Sequence, residues 1–178
     1  SDKWKWVGID IDPESSIVKQ GDAHNLSYPD NYFDVVISIA VFEHLHSPWI
    51  AIKEISRVLK PGGFFFGTTA FLEPEHANSY FHMTRHGILK IMEEASFNKI
   101  YIKPTEGWTA INSMKIFPVP GRKILGNIRS KFVLGLRSFL IKTKIVFSRK
   151  DKKEKALNVL NADKYRYAGS FRFLCQNN

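Results

Sequence analysis

The chain has 178 residues, of which 44% are apolar and 24% charged, and its formal net charge is +9. This length supports one domain with a sizeable core, and the composition is ordinary for a globular protein. The single cysteine, Cys175, excludes an internal disulfide and favours a reducing compartment, so we expect a cytoplasmic location. No apolar run approaches the roughly 18 residues that a membrane-spanning helix needs.

The apolar and turn patterns predict strands that alternate with helices. Strands are predicted over residues 5–11, 16–20, 33–42, 64–70, 99–102 and 167–174, with a turn at residues 28–31. Amphipathic helices are predicted over residues 48–59, stopped by Pro61-Gly62-Gly63, and over residues 84–95. This alternation predicts an α/β fold with an open, mostly parallel sheet.

The positive charge is concentrated in one segment. Residues 105–155 contain 13 Lys and Arg against 3 Asp and Glu, whereas the rest of the chain carries 13 against 14. We therefore divide the single domain into a core part (1–104), a basic helical insertion (105–163) and a final strand (164–178). The core part is expected to carry the chemistry and the insertion to determine what the protein contacts.

Polar side chains follow the predicted strands where a ligand would bind. In open parallel sheets, ligands bind in the crevice at the carboxyl ends of the strands. Asp10 follows the first strand, Asp22 the second, and Glu43-His44 the third. A carboxylate offers two acceptor oxygens, which suit ribose hydroxyls at the first position and an adenine amino group at the second.

Several motifs occur in a specific order: GIDIDP, QGDAHNL, FDVVISIAVFEHL and EISRVLKPGGFFFGTTAFL. Together they resemble the methyltransferase type 11 family of class I S-adenosylmethionine-dependent methyltransferases, over about residues 4–102 and again in the last strand. The resemblance implies a Rossmann-like sheet with an antiparallel last strand. It also implies cofactor binding by Asp10, Ile11, Asp22, Ala23 and Ala40.

The same resemblance implies roles in the methyl-transfer pocket. Glu43 and His44 are the candidate catalytic bases, needed if the acceptor must lose a proton. A substrate loop is expected after the strand at residues 64–70, with contacts from His76, Tyr80, Phe81 and Thr84. The alternative is that this is simply a packed loop, and that Asp10 caps a turn.

No metal site is predicted. Glu43-His44 resembles a metal-binding EVIEH stretch in some quinone methyltransferases, but Ala40 replaces its first acid. The family's first strand and glycine-rich GxGxG loop should precede Trp4, and nothing in the chain matches them. Because that loop lets the backbone approach the cofactor closely, we expect this chain to bind S-adenosylmethionine poorly or only with help.

The leading hypothesis is therefore methyl transfer from S-adenosylmethionine to a small-molecule or lipid-linked acceptor. The alternatives are a non-catalytic methyltransferase-like fragment or binding module, and an RNA methyltransferase.

A helix is predicted over residues 122–147, with an apolar stripe from Leu125 to Leu140 and Arg or Lys on another face. This pattern is typical of helices that lie on anionic membranes, which would make the protein peripheral to the membrane. A lid helix with a solvated basic face is the alternative, and nucleic acid is the less favoured partner.

Overall fold

The computed structural model describes residues 5–110, 112–113, 158, 162 and 164–178. Its strands are β1 (Gly8–Asp10), β2 (Val18–Gln20), β3 (Phe33–Ile39), β4 (Leu59–Ala70), β5 (Asn98–Pro104) and β6 (Ser170–Gln176). Its helices are α1 (Pro48–Val58) and α2 (Arg85–Glu94), and a 3-10 turn covers Phe42–His44. None of the helices in these ranges is long and apolar enough to span a bilayer. The predicted helix at residues 122–147 lies outside the described residues.

The strands form two sheets within the described ranges. In the first, β1 and β2 pair in parallel. In the second, the strand order is β3-β4-β6-β5, with β3 and β4 parallel and β6 antiparallel to both of its neighbours. The predicted mostly parallel, Rossmann-like arrangement with an antiparallel last strand is therefore confirmed. Among the described residues, one edge of β1 and one edge of β3 have no strand partner.

Helix α1 forms because apolar residues recur at three- and four-residue spacing and because proline suits a first helical position. Pro48, Ala51, Ile52, Ile55 and Val58 are its buried residues. Helix α2 begins after Thr84, whose hydroxyl oxygen accepts a hydrogen bond from the Gly87 amide, and it buries Ile88 and Met92. Both helices pack on the four-stranded sheet around four neighbouring aromatic rings: Phe42, Phe65, Phe97 and Phe173.

Several predicted boundaries differ from the observed ones, and two of the differences have a clear structural cause. The strand predicted over residues 33–42 ends at Ile39, because Ala40 adopts a left-handed backbone (φ 52°) and the chain then enters the 3-10 turn. Pro61-Gly62-Gly63 does not stop α1. The helix ends at Val58, and these three residues lie inside β4, where the pairing with β3 shifts register.

Candidate active site

The carboxyl ends of β1 and β2 lie side by side. Asp10 pairs with Gln20 in the strand register, and the Gly21 amide donates to the Asp10 carbonyl oxygen at 2.8 Å. The Asp10 carboxylate is exposed and accepts a hydrogen bond from the Asp12 amide at 2.9 Å through Oδ1. Ile11 is 65% exposed and does not pack against the core. Asp10 therefore supports a turn in this structure and presents its carboxylate to solvent at the strand end.

Asp22 is joined to the segment after β3 through two histidines. Its Oδ1 accepts from the His24 amide at 2.8 Å and lies 2.6 Å from His24 Nδ1. The hydrogen bond from the His24 amide is the main reason that the pKa of Asp22 is lowered. The His24 ring stacks on His46, with 4.1 Å between centroids, and its Nε2 accepts from the Ser47 amide. The carboxylate after β2 and the turn after β3 are thereby held on one side of the molecule.

A small open cavity lies at the end of β2. Apolar and polar groups both line it: Ile9, Lys19, Gln20, Gly21, Asp22, Leu26, Ser27 and Tyr28. Ala23 follows this set and packs partly against the core. Asp10 does not line the cavity, but its carbonyl oxygen binds the amide of Gly21, which does. A few polar groups among apolar side chains is the usual composition of a small-molecule site.

Ala40 marks the end of β3. Its amide donates to the carbonyl oxygen and to the hydroxyl oxygen of Thr68, at 3.2 and 3.1 Å. The left-handed backbone of a residue with a Cβ is unfavourable, and such strain tends to occur at ligand sites. This conformation turns the chain away from the sheet, so that Glu43 and His44 follow the end of β3 closely.

Glu43 is the most deeply buried acid of the site, at 2% exposure. The Thr69 hydroxyl donates to its Oε2 at 3.2 Å. The Glu43 carbonyl oxygen accepts from the amides of Tyr80 and Phe81, at 2.7 and 3.2 Å. These backbone bonds attach the loop at residues 71–84 to the 3-10 turn.

The structure brings one of the predicted substrate residues, His76, to the predicted base His44. Their rings are 5.3 Å apart and nearly perpendicular. Tyr80 and Phe81 expose much of their side chains and contact His46 and Trp49, respectively. Thr84 is occupied as the cap of α2, so the structure gives it a local structural role. The substrate contacts of these four residues remain predictions.

Sequence reasoning missed Glu73 and Trp108, which contact each other beside the loop at residues 71–84. The Glu73 Oε1 accepts from the Trp108 indole at 2.5 Å, and burial raises the pKa of the Glu73 carboxyl. Trp108 comes from the loop after β5, so its approach depends on the antiparallel pairing of β5 and β6. Nothing in the local sequence pattern indicates that contact. His82, on the loop at residues 71–84, has a buried Nε2 without a hydrogen-bond partner among the described residues.

Acidic side chains and a crevice at the carboxyl ends of the strands, beside a group of acids and histidines, form the arrangement in which open α/β sheets bind ligands. Residues 4–67 match the methyltransferase type 11 family, described as a methyltransferase domain. This part of the chain is therefore similar to the methyltransferase domain of that family.

The relatives extend this match beyond the family motif. The ubiquinone/menaquinone biosynthesis C-methyltransferase of Neisseria meningitidis is 34% identical over 113 residues, which is 64% of this chain and 35% of that protein. An S-adenosylmethionine-dependent methyltransferase from Methanosarcina mazei shares the fold with a TM-score of 0.52 at 14% identity, over 96% of this chain and 81% of that chain.

A third similar structure is phosphoethanolamine N-methyltransferase 2 of Haemonchus contortus, in complex with S-adenosylmethionine. It has a TM-score of 0.50 and 17% identity, over 92% of this chain and 38% of that chain. These structural similarities establish the fold. The chain spans about a third of the length of the Neisseria relative.

Proposed function

We propose that the protein transfers a methyl group from S-adenosylmethionine to a small-molecule or lipid-linked acceptor. The observation that carries the proposal is the link from Asp22 through His24 to His46, because it holds a nucleoside-type crevice next to the Glu43-His44 turn. Binding of S-adenosylmethionine by the Haemonchus relative and the quinone-related name of the Neisseria relative support this assignment.

The residues present suit the adenosine half of the cofactor. Asp22 lies in a crevice with Ile9, Leu26 and Tyr28, which offers one acceptor and apolar surfaces to an adenine ring. Asp10, on the adjoining strand end, would accept from the ribose hydroxyls, and Ala23 and Ala40 would border the site. The bound cofactor supplies an electrophilic methyl group on a sulfonium sulfur.

The residues of the neighbouring pocket would handle the acceptor. Methyl transfer is an in-line displacement, so the protein chiefly aligns two reactants and excludes water. If the acceptor atom carries a proton, a base must remove it. His44 is half-buried and beside His76, whereas Glu43 is buried and hydrogen-bonded to Thr69, so His44 is the more accessible base. His76, Tyr80 and Phe81 lie on the loop that would cover the acceptor.

Calorimetric titration of S-adenosylmethionine into the full-length protein tests the cofactor assignment. Asp10→Ala and Asp22→Asn are each expected to weaken binding by about 1–3 kcal/mol, the scale of a lost charged hydrogen bond. Asp34→Asn is the matched control, since Asp34 is exposed and pairs with Lys60 at the other end of β3. Full-length protein that does not bind the cofactor would instead favour the binding-module alternative.

Transfer of a labelled methyl group to extracted small molecules and lipids, with RNA in a parallel reaction, tests the acceptor class. His44→Gln should lower the rate with little effect on cofactor affinity, because a base acts on the acceptor. Labelling of RNA alone would favour the third hypothesis.

A further inference from the structure

Three potential metal ligands meet at the end of β3. Glu43, His44 and His76 each offer one ligand atom, and these atoms lie within 4.8 Å of one another. Two come from the 3-10 turn and one from the loop after β4. The Tyr80 and Phe81 amides bind the Glu43 carbonyl oxygen, which keeps that loop against the turn. The grouping is therefore fixed by backbone hydrogen bonds as well as by side chains.

The His76 ring is oriented as in histidines that ligate metals. Its Nδ1 lies 3.0 Å from the Pro74 carbonyl oxygen. A carbonyl oxygen only accepts, so Nδ1 carries the proton and Nε2 is the nitrogen chemically able to bind a metal. Metal-ligating histidines usually donate their second ring N–H to a carbonyl or carboxylate in this way. Ser79 exchanges hydrogen bonds with the His76 backbone and holds the loop in shape.

Glu43 is the one buried residue of the three. It is 2% exposed, and no Lys or Arg in the described ranges forms an ion pair with it. Thr69 donates to one carboxylate oxygen, which resembles the outer-shell support of a ligating carboxylate. Burying an ionised carboxylate is unfavourable unless a positive charge compensates it. A metal ion between Glu43 and the two imidazoles would provide that charge.

We propose that Glu43, His44 and His76 bind a divalent transition-metal ion, of which Zn²⁺ fits best. Two imidazoles and one carboxylate suit Zn²⁺, whereas Mg²⁺ and Ca²⁺ prefer oxygen ligands throughout. With bonds of about 2.0–2.2 Å, ligand atoms around one ion lie no more than about 4.4 Å apart. Small side-chain rotations therefore complete the site. Three protein ligands leave a coordination position for water or an acceptor oxygen.

This site revises the sequence-based expectation of no metal. That expectation rested on Ala40, which removes an acid from the turn. The third ligand comes instead from His76, on a loop brought over the turn by the fold. Metal binding here does not depend on the cofactor assignment, because none of the three ligands lines the nucleoside crevice. It does exclude the base role proposed for His44, since an imidazole nitrogen bound to an ion has no lone pair left for a proton.

Titration of the chelator-treated, full-length protein with Zn²⁺ alone tests the proposal. A second titration with Co²⁺ reports the coordination geometry through its visible absorption spectrum. One equivalent should bind, and Glu43→Gln, His44→Gln and His76→Gln should each weaken Zn²⁺ binding at least tenfold. His86→Gln is the matched control, since His86 is exposed on α2, and it should leave binding unchanged. Bound Co²⁺ should show the intense visible absorption of a four-coordinate site.

Absence of stoichiometric Zn²⁺ binding would overturn the proposal. So would binding that survives His76→Gln but is lost in His24→Gln, because the stacked His24–His46 pair would then be the site. Circular dichroism verifies that each variant is folded. If Glu43→Gln does not fold, the Zn²⁺ affinity of the loop variant His76→Gln tests the proposal instead. S-adenosylmethionine titrations of the same metal-free protein show separately whether the proposed function holds.

Discussion

Gly67 and Phe173 lie directly opposite each other in the β4–β6 pair, and a Cβ on Gly67 would come within 2.3 Å of the Phe173 ring. The same Cβ would lie 2.9 Å from the Ser38 carbonyl oxygen on β3. The missing side chain thus allows the Phe173 ring to lie across β4 and contact Phe65 and Phe42. The central aromatic core depends on this glycine.

Gly67→Ala should therefore destabilise the protein by about 1–3 kcal/mol, the usual cost of overpacking. Gly87→Ala is the matched control. Its Cβ would find only the Thr84 hydroxyl, at an ordinary 3.6 Å, in helix α2. That change should stabilise the protein by up to about 1 kcal/mol, because alanine favours helix. Urea unfolding measures both, and equal effects of the two substitutions would contradict the role of Gly67.

Glu54 on α1 anchors the loop that carries the crevice. Its Oε2 accepts from the Leu26 amide at 2.9 Å, and its carboxylate forms an ion pair with Arg57. Arg57 also donates to the carbonyl oxygens of Leu26 and Tyr28. Glu54→Gln should lower the free energy of unfolding at pH 7 by about 1–3 kcal/mol. Glu94→Gln, in an exposed pair with Lys90, should cost no more than about 0.5 kcal/mol.

The stabilisation by Glu54 should also depend on pH. The hydrogen bond from Arg57 is the main cause of the lowered pKa of Glu54, so this stabilisation is present above the ordinary glutamate pKa of 4.5. As the pH falls through the lower pKa of the folded state, the carboxylate protonates and the stabilisation is lost. The stability difference between native protein and Glu54→Gln should therefore shrink below about pH 4.5. A constant difference from pH 7 to pH 3 would contradict this assignment.

Cys175 should be inert to thiol reagents in the native protein. Its side chain is fully buried in β6, its Sγ lies 3.6 Å from the Phe65 carbonyl oxygen, and burial raises its pKa to about 12. Because the thiolate is the reactive form, labelling should be slow in buffer and should accelerate in urea as the β4–β6 pair opens. An added cysteine at exposed Ser16 should label at once. Equal labelling rates at the two positions would show that Cys175 is accessible.

The basic segment at residues 122–147 remains a proposal for membrane attachment, since it lies outside the described residues. Co-sedimentation with anionic vesicles should exceed that with neutral vesicles and should weaken with salt. Leu136→Glu and Arg129→Glu should reduce it, whereas Lys90→Glu on exposed α2 should not. Equal recovery in the supernatant with and without anionic vesicles would eliminate the attachment.

Sequence patterns predicted the element types well because local forces determine them. The spacing of Ile52 and Ile55 gives α1, and Thr84 marks the start of α2 through its cap. The boundaries failed where distant groups act. The Asn177 side chain donates to the carbonyl oxygens of Ser56 and Leu59 at the end of α1, and no local pattern indicates that contact.

The site was predictable only in part, for the same reason. Asp10, Asp22 and Glu43 could be assigned to the site because they follow the ends of predicted strands, which requires no information about tertiary contacts. The stack of His24 on His46, and the approach of His76 to His44, join segments whose spacing in the sequence carries no signal. Long-range backbone pairing, not residue type, brings those imidazoles together.

The position of β6 has a consequence for synthesis of the chain on the ribosome. This strand lies between β4 and β5, although it follows both in the sequence by more than sixty residues. Until residues 170–176 have emerged, β4 and β5 each present an unpaired edge to solvent or to a chaperone. The four-stranded sheet is therefore completed late, when β6 pairs between β4 and β5. Before that step the nascent chain is most exposed to misassembly.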